Sequence, residues 1–376
     1  MDATTALGLR MTSLLLRGNT PSGNTPAGNT PGGNTPGGNT PGDIAGVVEW
    51  FGAMQAQDVN SALWSLGCRL PGVTLAQVNE ALEDRSVLRT WPMRGTVHFV
   101  PAADAHWMLD LMGVRALAGA AKRRDTLGLD EGTVDRAVDV LGAALKGGGR
   151  LTRSECMTAM ADGGVEVSGQ RGYHLLWYAS QRGVTAIAPH VGKEQTFVLL
   201  DEWVPAPRRP SRDEALGIIA LRYFRSHGPA TRKDFVGWTG LTTTDCRTGI
   251  AVAGDAVQPV EVDGVEMIMA ADAPDRGPGD WLALPGFDEY MLGYKDRSLM
   301  TDDVDAIVPG GNGVFRSTLV QGGRVRATWT RTLTRKGVTV TVEPLTPFTK
   351  RDHSDAAEAL ALYAAYLESA LTVKNP

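Results

Sequence analysis

Twice between residues 133 and 270 the chain runs through the same order of local patterns, three helical segments and then a two-stranded hairpin. In the first pass the helices cover 133–145, a segment opened by Leu151-Thr152-Arg153-Ser154-Glu155, and 169–181; the strands cover 184–187 and 196–200. In the second they cover 213–226, a segment begun by Gly228-Pro229-Ala230-Thr231-Arg232-Lys233-Asp234, and one capped by Thr242 or Thr243, with strands at 257–262 and 265–270. Three helices followed by a two-stranded hairpin is the winged-helix plan, whose third helix usually enters the DNA major groove. Such units also serve as protein-interaction modules, so the pattern alone does not decide for DNA.

The N-terminal part reads as a less regular copy. Helices are expected at 7–17, 44–54 and 75–84, then a hairpin of strands 87–90 and 95–100 turned at Pro92, then a helix at 102–117 opened by Pro101. The first two helices are separated by five copies of Gly-Asn-Thr-Pro-x over 18–42. Each copy offers turn and breaker residues and no side chain that builds a core, so the segment reads as an expanded loop. After Trp281 strand-like runs at 313–319, 324–330 and 338–342 precede a closing helix at 354–372. The expected architecture is α+β: tandem winged-helix units at 1–125, 126–205 and 206–275, and a C-terminal domain at 276–376 built on a small β-barrel or antiparallel sheet.

Composition narrows the partners. With 43% hydrophobic and 21% charged residues in 376, the chain reads as soluble and globular, and it carries no apolar run long enough to cross a bilayer. The first 17 residues lack a basic cap leading into an apolar core, so secretion is not expected and a cytoplasmic, nucleoid-associated location is. Cys68, Cys156 and Cys246 are far apart with no CxxC spacing, which suits buried thiols better than disulfides or zinc; no metal and no cofactor are expected. The net charge is −5, yet residues 316–336 hold six basic side chains (Arg316, Arg324, Arg326, Arg331, Arg335, Lys336) and no acid. That segment favours an anionic partner.

One polar triplet stands out from apolar surroundings, Gln55-Ala56-Gln57, which follows the 44–54 helix. Side chains two apart share one side of an extended segment but diverge around a helix, so this pair acts jointly only on a strand or irregular turn. Neutral carboxamides do not transfer protons near neutral pH. They can hold a water molecule and set a carbonyl dipole against a developing positive charge.

The run Leu284-Pro285-Gly286-Phe287-Asp288-Glu289-Tyr290-Met291-Leu292-Gly293-Tyr294-Lys295-Asp296-Arg297 resembles the signature of winged-helix DNA glycosylases of the AlkZ and YcaQ superfamily. Three further segments fit in the same order: Arg94-Gly95-Thr96-Val97-His98, His227-Gly228-Pro229-Ala230-Thr231-Arg232-Lys233-Asp234-Phe235, and Val314-Phe315-Arg316 running on to Gly323-Arg324-Val325. The resemblance covers nearly the whole chain apart from the repeat. It implies that Gln55 and Gln57 are catalytic, since the AlkZ-like subtype carries Gln-x-Gln where the YcaQ-like one carries Gln-x-Asp. It also implies the reaction, hydrolysis of the N-glycosidic bond of bulky N7-alkylguanine adducts or unhooking of interstrand crosslinks, often as self-resistance to a DNA-alkylating natural product.

The chemistry agrees with what these side chains can do. Guanine alkylated at N7 is cationic and departs as a neutral base without a general acid, leaving the enzyme to stabilise a sugar cation and place one water. Asp58 and His98 are candidate assistants, although a lone His in a strand is more often structural. Arg94, Arg316, Arg324 and Arg326 are the DNA-binding candidates, the partner being double-stranded DNA carrying alkylated or crosslinked guanine and the expected state a monomer. A crosslinked guanine does not swing freely out of the stack, which favours a wide concave DNA-binding face over a deep base pocket. The alternation of acidic and aromatic residues around Gly293 reads as a hydrogen-bonded structural turn rather than a second active site. The rivals are a non-catalytic winged-helix transcription regulator, for which no dimerisation helix is evident, and a protein that sequesters the free genotoxin.

Overall fold

The computed structural model describes residues 1–16, 41–273 and 279–374, so the repeat lies outside the described residues from its first residue to Thr40. Six strands belong to the first two units: β1 (Met54–Gln55), β2 (Val87–Met93), β3 (Thr96–Pro101), β4 (Leu151–Thr152), β5 (Thr185–Val191) and β6 (Glu194–Leu199). They form a single sheet in the order β1-β3-β2-β5-β6-β4. The hairpins expected in two separate units therefore pair edge to edge, through Arg89 of β2 opposite Ile187 of β5. Every residue of β2 is buried, as befits a strand covered on both faces.

The turn of the first hairpin is not at Pro92. It lies at Arg94 and Gly95, whose φ angles are +54° and +71°. Pro92 sits inside β2, where the register with β3 shifts between Thr90 and Met93. At such an irregularity the missing proline N–H leaves no ladder bond unmade, so a residue that reads as a breaker is accommodated in the strand. The helix expected over 102–117 is also subdivided, with a π-helical turn at Leu109–Gly113 between α-helices Ala105–Met108 and Val114–Gly119.

In the third unit, helices Arg212–His227, Arg232–Thr239 and Thr243–Ala253 precede the hairpin of β7 (Val257–Val262) and β8 (Val265–Ala270), with Thr242 as N-cap of the third helix. The first helix of the chain, Ala3–Ser13, seats on this unit. The Met1 ammonium donates to Glu261 O at 2.7 Å, and the buried Arg10 donates from Nε to Pro229 O at 2.9 Å with its guanidinium 4.0 Å above the Tyr294 ring.

The C-terminal sheet is open, which corrects the expectation of a barrel. Its order is β13-β12-β11-β10-β9, from β9 (Leu282–Leu284), β10 (Ser317–Gln321), β11 (Arg324–Thr334), β12 (Gly337–Pro344) and β13 (Leu371–Lys374). β12 and β13 run parallel, so the sheet is not wholly antiparallel either. The closing helix spans Lys350–Tyr366, and the residues expected to prolong it return as β13. Its Tyr363 ring lies 5.3 Å from that of Trp329 in β11. One hydrophobic cluster runs from Leu7 in the first helix to Tyr366 in the last, joining all the units.

Candidate active site

The Gln-Ala-Gln triplet falls where a helix, a strand edge and a second helix meet within a few residues. Helix Ile44–Phe51 stops at Gly52, whose φ of +79° belongs to the left-handed half of conformational space that glycine enters without strain. β1 then pairs with β3, Met54 opposite Phe99 and Gln55 opposite His98, and the Ala56 N–H donates to Val97 O at 2.8 Å. Asp58 closes the segment as N-cap of helix Val59–Gly67, its carboxylate accepting from Ser61 N at 2.7 Å. Strand pairing thus reaches Gln55 and Ala56, and Gln57 follows in a bend just before the helix cap. Met54 and Ala56 are buried, Gln55 is 9% exposed, and Gln57 is open to solvent. Neither carboxamide makes a hydrogen bond to any described residue.

Directly behind this strand edge lies a carboxylate that reading the sequence passed over. Glu289 is 1% exposed. Its Oε1 accepts from the backbone N–H of Gln55 at 3.0 Å, and its Oε2 accepts from Trp238 Nε1 at 2.9 Å and from His227 Nε2 at 3.3 Å. Burial would push this carboxyl up, but the His227 side chain, the Gln55 N–H and the Trp238 indole outweigh it and hold the pKa at about 2. A fixed negative charge therefore sits one hydrogen bond from the triplet's backbone. It has a signal in the sequence: Glu289 is an acid inside a run of apolar and aromatic residues, flanked by Asp288 and Tyr290.

The surrounding residues are spent on holding Glu289 in place. Tyr223 stacks on His227 with ring centroids 4.7 Å apart and donates from its hydroxyl to Gly293 O at 2.6 Å. Tyr294 donates to His227 O at 2.7 Å, and Tyr290 to Gly323 O at 2.5 Å. Gly293 has no room for a side chain, since a Cβ there would run into His227 Cδ2 and lie 2.7 Å from His227 Nε2. Asp288 accepts from Arg69 through both carboxylate oxygens, at 2.8 and 3.0 Å, and from Ser65 Oγ at 2.6 Å. Arg297 donates to Met291 O at 2.7 Å and the Asp296 N–H to Asp234 Oδ1 at 3.3 Å. The acidic and aromatic set around Gly293 thus forms a network of internal hydrogen bonds.

His98 and Arg94 flank the triplet on the other strand. His98 is wholly buried, and burial, reinforced by the Arg94 guanidinium, pushes its pKa down to about 4. It is neutral at pH 7. Its Nδ1 lies 2.8 Å from Thr96 O and so carries the hydrogen, which leaves Nε2 to accept from Arg94 Nη2 at 3.4 Å. His98 therefore positions Arg94, the exposed residue at the hairpin tip, and has no proton to give. The remaining basic candidates lie apart, at the C-terminal sheet, each with a local partner. Arg316 is 3.8 Å from Glu343, Arg324 donates to Asp302 at 2.6 Å, and Arg326 donates to Gln321 and lies 5.8 Å from the Trp281 ring. The acid-free run of sequence is not acid-free in space.

The chain is similar to DNA glycosylases. The family described as DNA glycosylase AlkZ-like matches residues 48–366. The chain belongs to that family. A curated interstrand DNA cross-link repair glycosylase from Streptomyces sahachiroi is 28% identical over 296 residues, 73% of this chain and 79% of the relative. The solved structure of Streptomyces sahachiroi DNA glycosylase AlkZ superposes with a TM-score of 0.78 at 23% identity, covering 100% of both chains, which establishes the shared fold. The chain is accordingly a DNA glycosylase with DNA as its substrate. Among the described residues no helix is long and apolar enough to cross a membrane, and no group of three or more His, Cys, Asp or Glu residues is placed to hold a metal ion.

Proposed function

We propose that this glycosylase removes bulky N7-alkylguanine adducts from duplex DNA and unhooks interstrand crosslinks, with Gln55 and Gln57 as the catalytic pair. The observation that carries the reading is the pairing of two uncommitted carboxamides at an open strand edge with a buried, ionised Glu289 behind them. In the reaction the C1′–N9 bond breaks with its electron pair passing to N9, which neutralises the cationic base and makes a proton donor unnecessary. The sugar is left with oxocarbenium character. Carboxamide oxygens and the Glu289 charge stabilise that cation, and a water held by the exposed Gln57 attacks C1′, its surplus proton going to solvent. Asp58, spent as a helix cap, and neutral His98 serve the scaffold. Arg94 holds a phosphate beside the lesion, with Arg316, Arg324 and Arg326 supplying outlying contacts to the DNA backbone.

The crosslink activity is supported by the role for which the Streptomyces sahachiroi relative is named. Self-resistance to a DNA-alkylating metabolite, action as a monomer, a cytoplasmic location and the division into three winged-helix units with a C-terminal domain complete the reading. A transcription regulator would have no use for two free carboxamides set against a buried carboxylate. The test is a duplex carrying one N7-alkylguanine in an end-labelled strand, incubated with enzyme and then with alkali. Breaks at the adduct accumulating faster than in the enzyme-free control are expected. A time course equal to the control would overturn the proposal.

A further inference from the structure

A second cleft opens beside the same hairpin tip. It has a volume of about 600 Å³ and is lined by Trp91 and Gly95 of the hairpin, by Arg123 and Arg153, and by Tyr173 and Trp177 of helix Arg171–Gln181. That volume is in the range of sites that take a small organic group, roughly 300–1,000 Å³. Its distance from the triplet follows from the strand register. Gln55 opposes His98 and the Ala56 N–H bonds Val97 O, so the triplet leaves the sheet on the side of β3 that leads to Thr96 and Gly95. With strands about 4.8 Å apart and β3 between β1 and β2, the strand that carries Trp91 lies roughly 10 Å, two strand spacings, from the strand that carries Gln55.

The lining has one particular chemistry. Tyr173 is 44% exposed although it belongs to a helix whose other face is core. The Arg153 guanidinium lies 5.1 Å from its ring centroid, and His174 and Trp177 lie side by side with ring centroids 5.1 Å apart and planes inclined by 34°. Nε2 of His174, which also lines the cleft, is buried without a hydrogen-bond partner among the described residues. Arg123 and Arg153 make no ion pair among the described residues, unlike Arg124 close by, which is 3.0 Å from Glu131. An exposed aromatic ring with a guanidinium on one face, beside a second guanidinium that makes no ion pair among the described residues, is a combination that binds unpaired nucleotides, the base stacking and the phosphate meeting the cation. The helix that carries Tyr173 is also the third helix of its winged-helix unit, the one such units commonly turn toward DNA.

We propose that this cleft holds an unpaired nucleotide of the substrate strand, displaced from the duplex next to the lesion, with its base on Tyr173 and Trp177 and its phosphate on Arg123 and Arg153. The proposal rests on the glycosylase reading and adds to it that the enzyme opens the duplex beside the adduct and stores what it displaces. A nucleotide parked there lets the triplet reach C1′ of a guanine that is tethered to the opposite strand and does not itself leave the stack.

The probe is a short duplex with one unpaired 2-aminopurine, compared with the same duplex in which that base is paired. Wild-type protein is expected to bind the unpaired form roughly tenfold more tightly, the effect of one base–aromatic stack, and to quench its fluorescence. Tyr173→Ala should lose most of that preference, Tyr173→Phe should keep it, and binding of the fully paired duplex should change little in either. Tyr173 is exposed, so both variants are expected to fold, and circular dichroism checks this directly. Equal affinity of wild type for the two duplexes, or a preference undiminished in Tyr173→Ala, would overturn the proposal while leaving the glycosylase reading intact. Failure to bind either duplex would overturn both.

Discussion

Glu289→Gln separates a charged site from a merely polar one. The variant keeps the size of the side chain and one acceptor oxygen, but it removes the charge and turns an amide N–H₂ toward donors that now face oxygen, the Trp238 indole and His227. Burial works against the ionised carboxyl, and the His227, Gln55 and Trp238 hydrogen bonds more than offset it, moving the pKa from 4.5 to about 2. A lowered folded-state pKa adds stability that is complete above the unfolded value and is lost as pH falls toward the folded one. The size is about 3 kcal/mol at pH 7, about half of that at pH 3 and almost nothing at pH 2. Leaving buried donors unsatisfied adds about 1–3 kcal/mol that does not vary with pH. Together these losses, about 4–6 kcal/mol, take up much of a total stability of about 5–15 kcal/mol, so circular dichroism first checks that the variant is folded. Urea unfolding of both proteins at pH 7, 4.5 and 3 measures the gap between them. The carboxyl of Glu49, also held near 2 against its own burial by Arg208 and Arg222, is common to both and cancels. The gap should narrow by about 1.5–2 kcal/mol between pH 7 and pH 3. A gap constant across that range would show that Glu289 titrates as an ordinary carboxyl, and the electrostatic part of the reasoning would fail.

Three other outcomes are expected. Gly293→Ala drives a methyl group into His227 and to 2.8 Å from Glu289 O, so it should cost about 1–3 kcal/mol or more in urea unfolding; a neutral effect would mean the network yields easily. Replacing Arg324 and Arg326 together by Ala should reduce the magnitude of the slope of log affinity against log salt by roughly 0.9 for each phosphate that the variant no longer neutralises, and an unchanged slope would remove the C-terminal sheet from the interface. Excision in excess EDTA should proceed at the untreated rate, because an N7-alkylated base leaves without Lewis-acid help; inhibition reversed by a divalent ion would contradict this.

Much of the local structure was legible because its signals are short-range. β7 and β8 have the bounds expected from the sequence, and of the two cap candidates, Thr242 and Thr243, Thr242 caps the helix. What escaped depends on contacts between distant parts of the chain. Nothing local says that β2 will pair with β5, that the first helix will seat on the third unit, or that residues 371–374 will add a parallel strand to β12. Pro92 misled because a breaker looks the same in sequence whether it ends a strand or occupies an irregularity within it. At the site, a strand or irregular turn was expected at the Gln-Ala-Gln segment if both side chains act together, and the strand ends at Gln55 with Gln57 in a bend beyond it. Glu289 went unremarked because its partners, Gln55, His227 and Trp238, lie 234, 62 and 51 residues away. The basic run at 316–336 showed the converse limit, since Asp302 and Glu343 pair with two of its six basic side chains, Arg324 and Arg316, from outside the window in which it looked acid-free.

The central claim, that the exposed carboxamide of Gln57 acts on the reacting sugar, is tested most directly by single-turnover excision of N7-alkylguanine with Gln57→Ala, alongside its affinity for the same duplex. Gln57 is exposed and makes no hydrogen bond among the described residues, so its truncation should shift stability by no more than about 0.5 kcal/mol. Duplex affinity, set by phosphate contacts elsewhere, should hardly change. The excision rate should fall by roughly 10²-fold, about 2.7 kcal/mol of lost transition-state stabilisation. Excision at the parental rate, in a variant that folds and binds normally, would show that the triplet is structural and that the chemistry is done elsewhere.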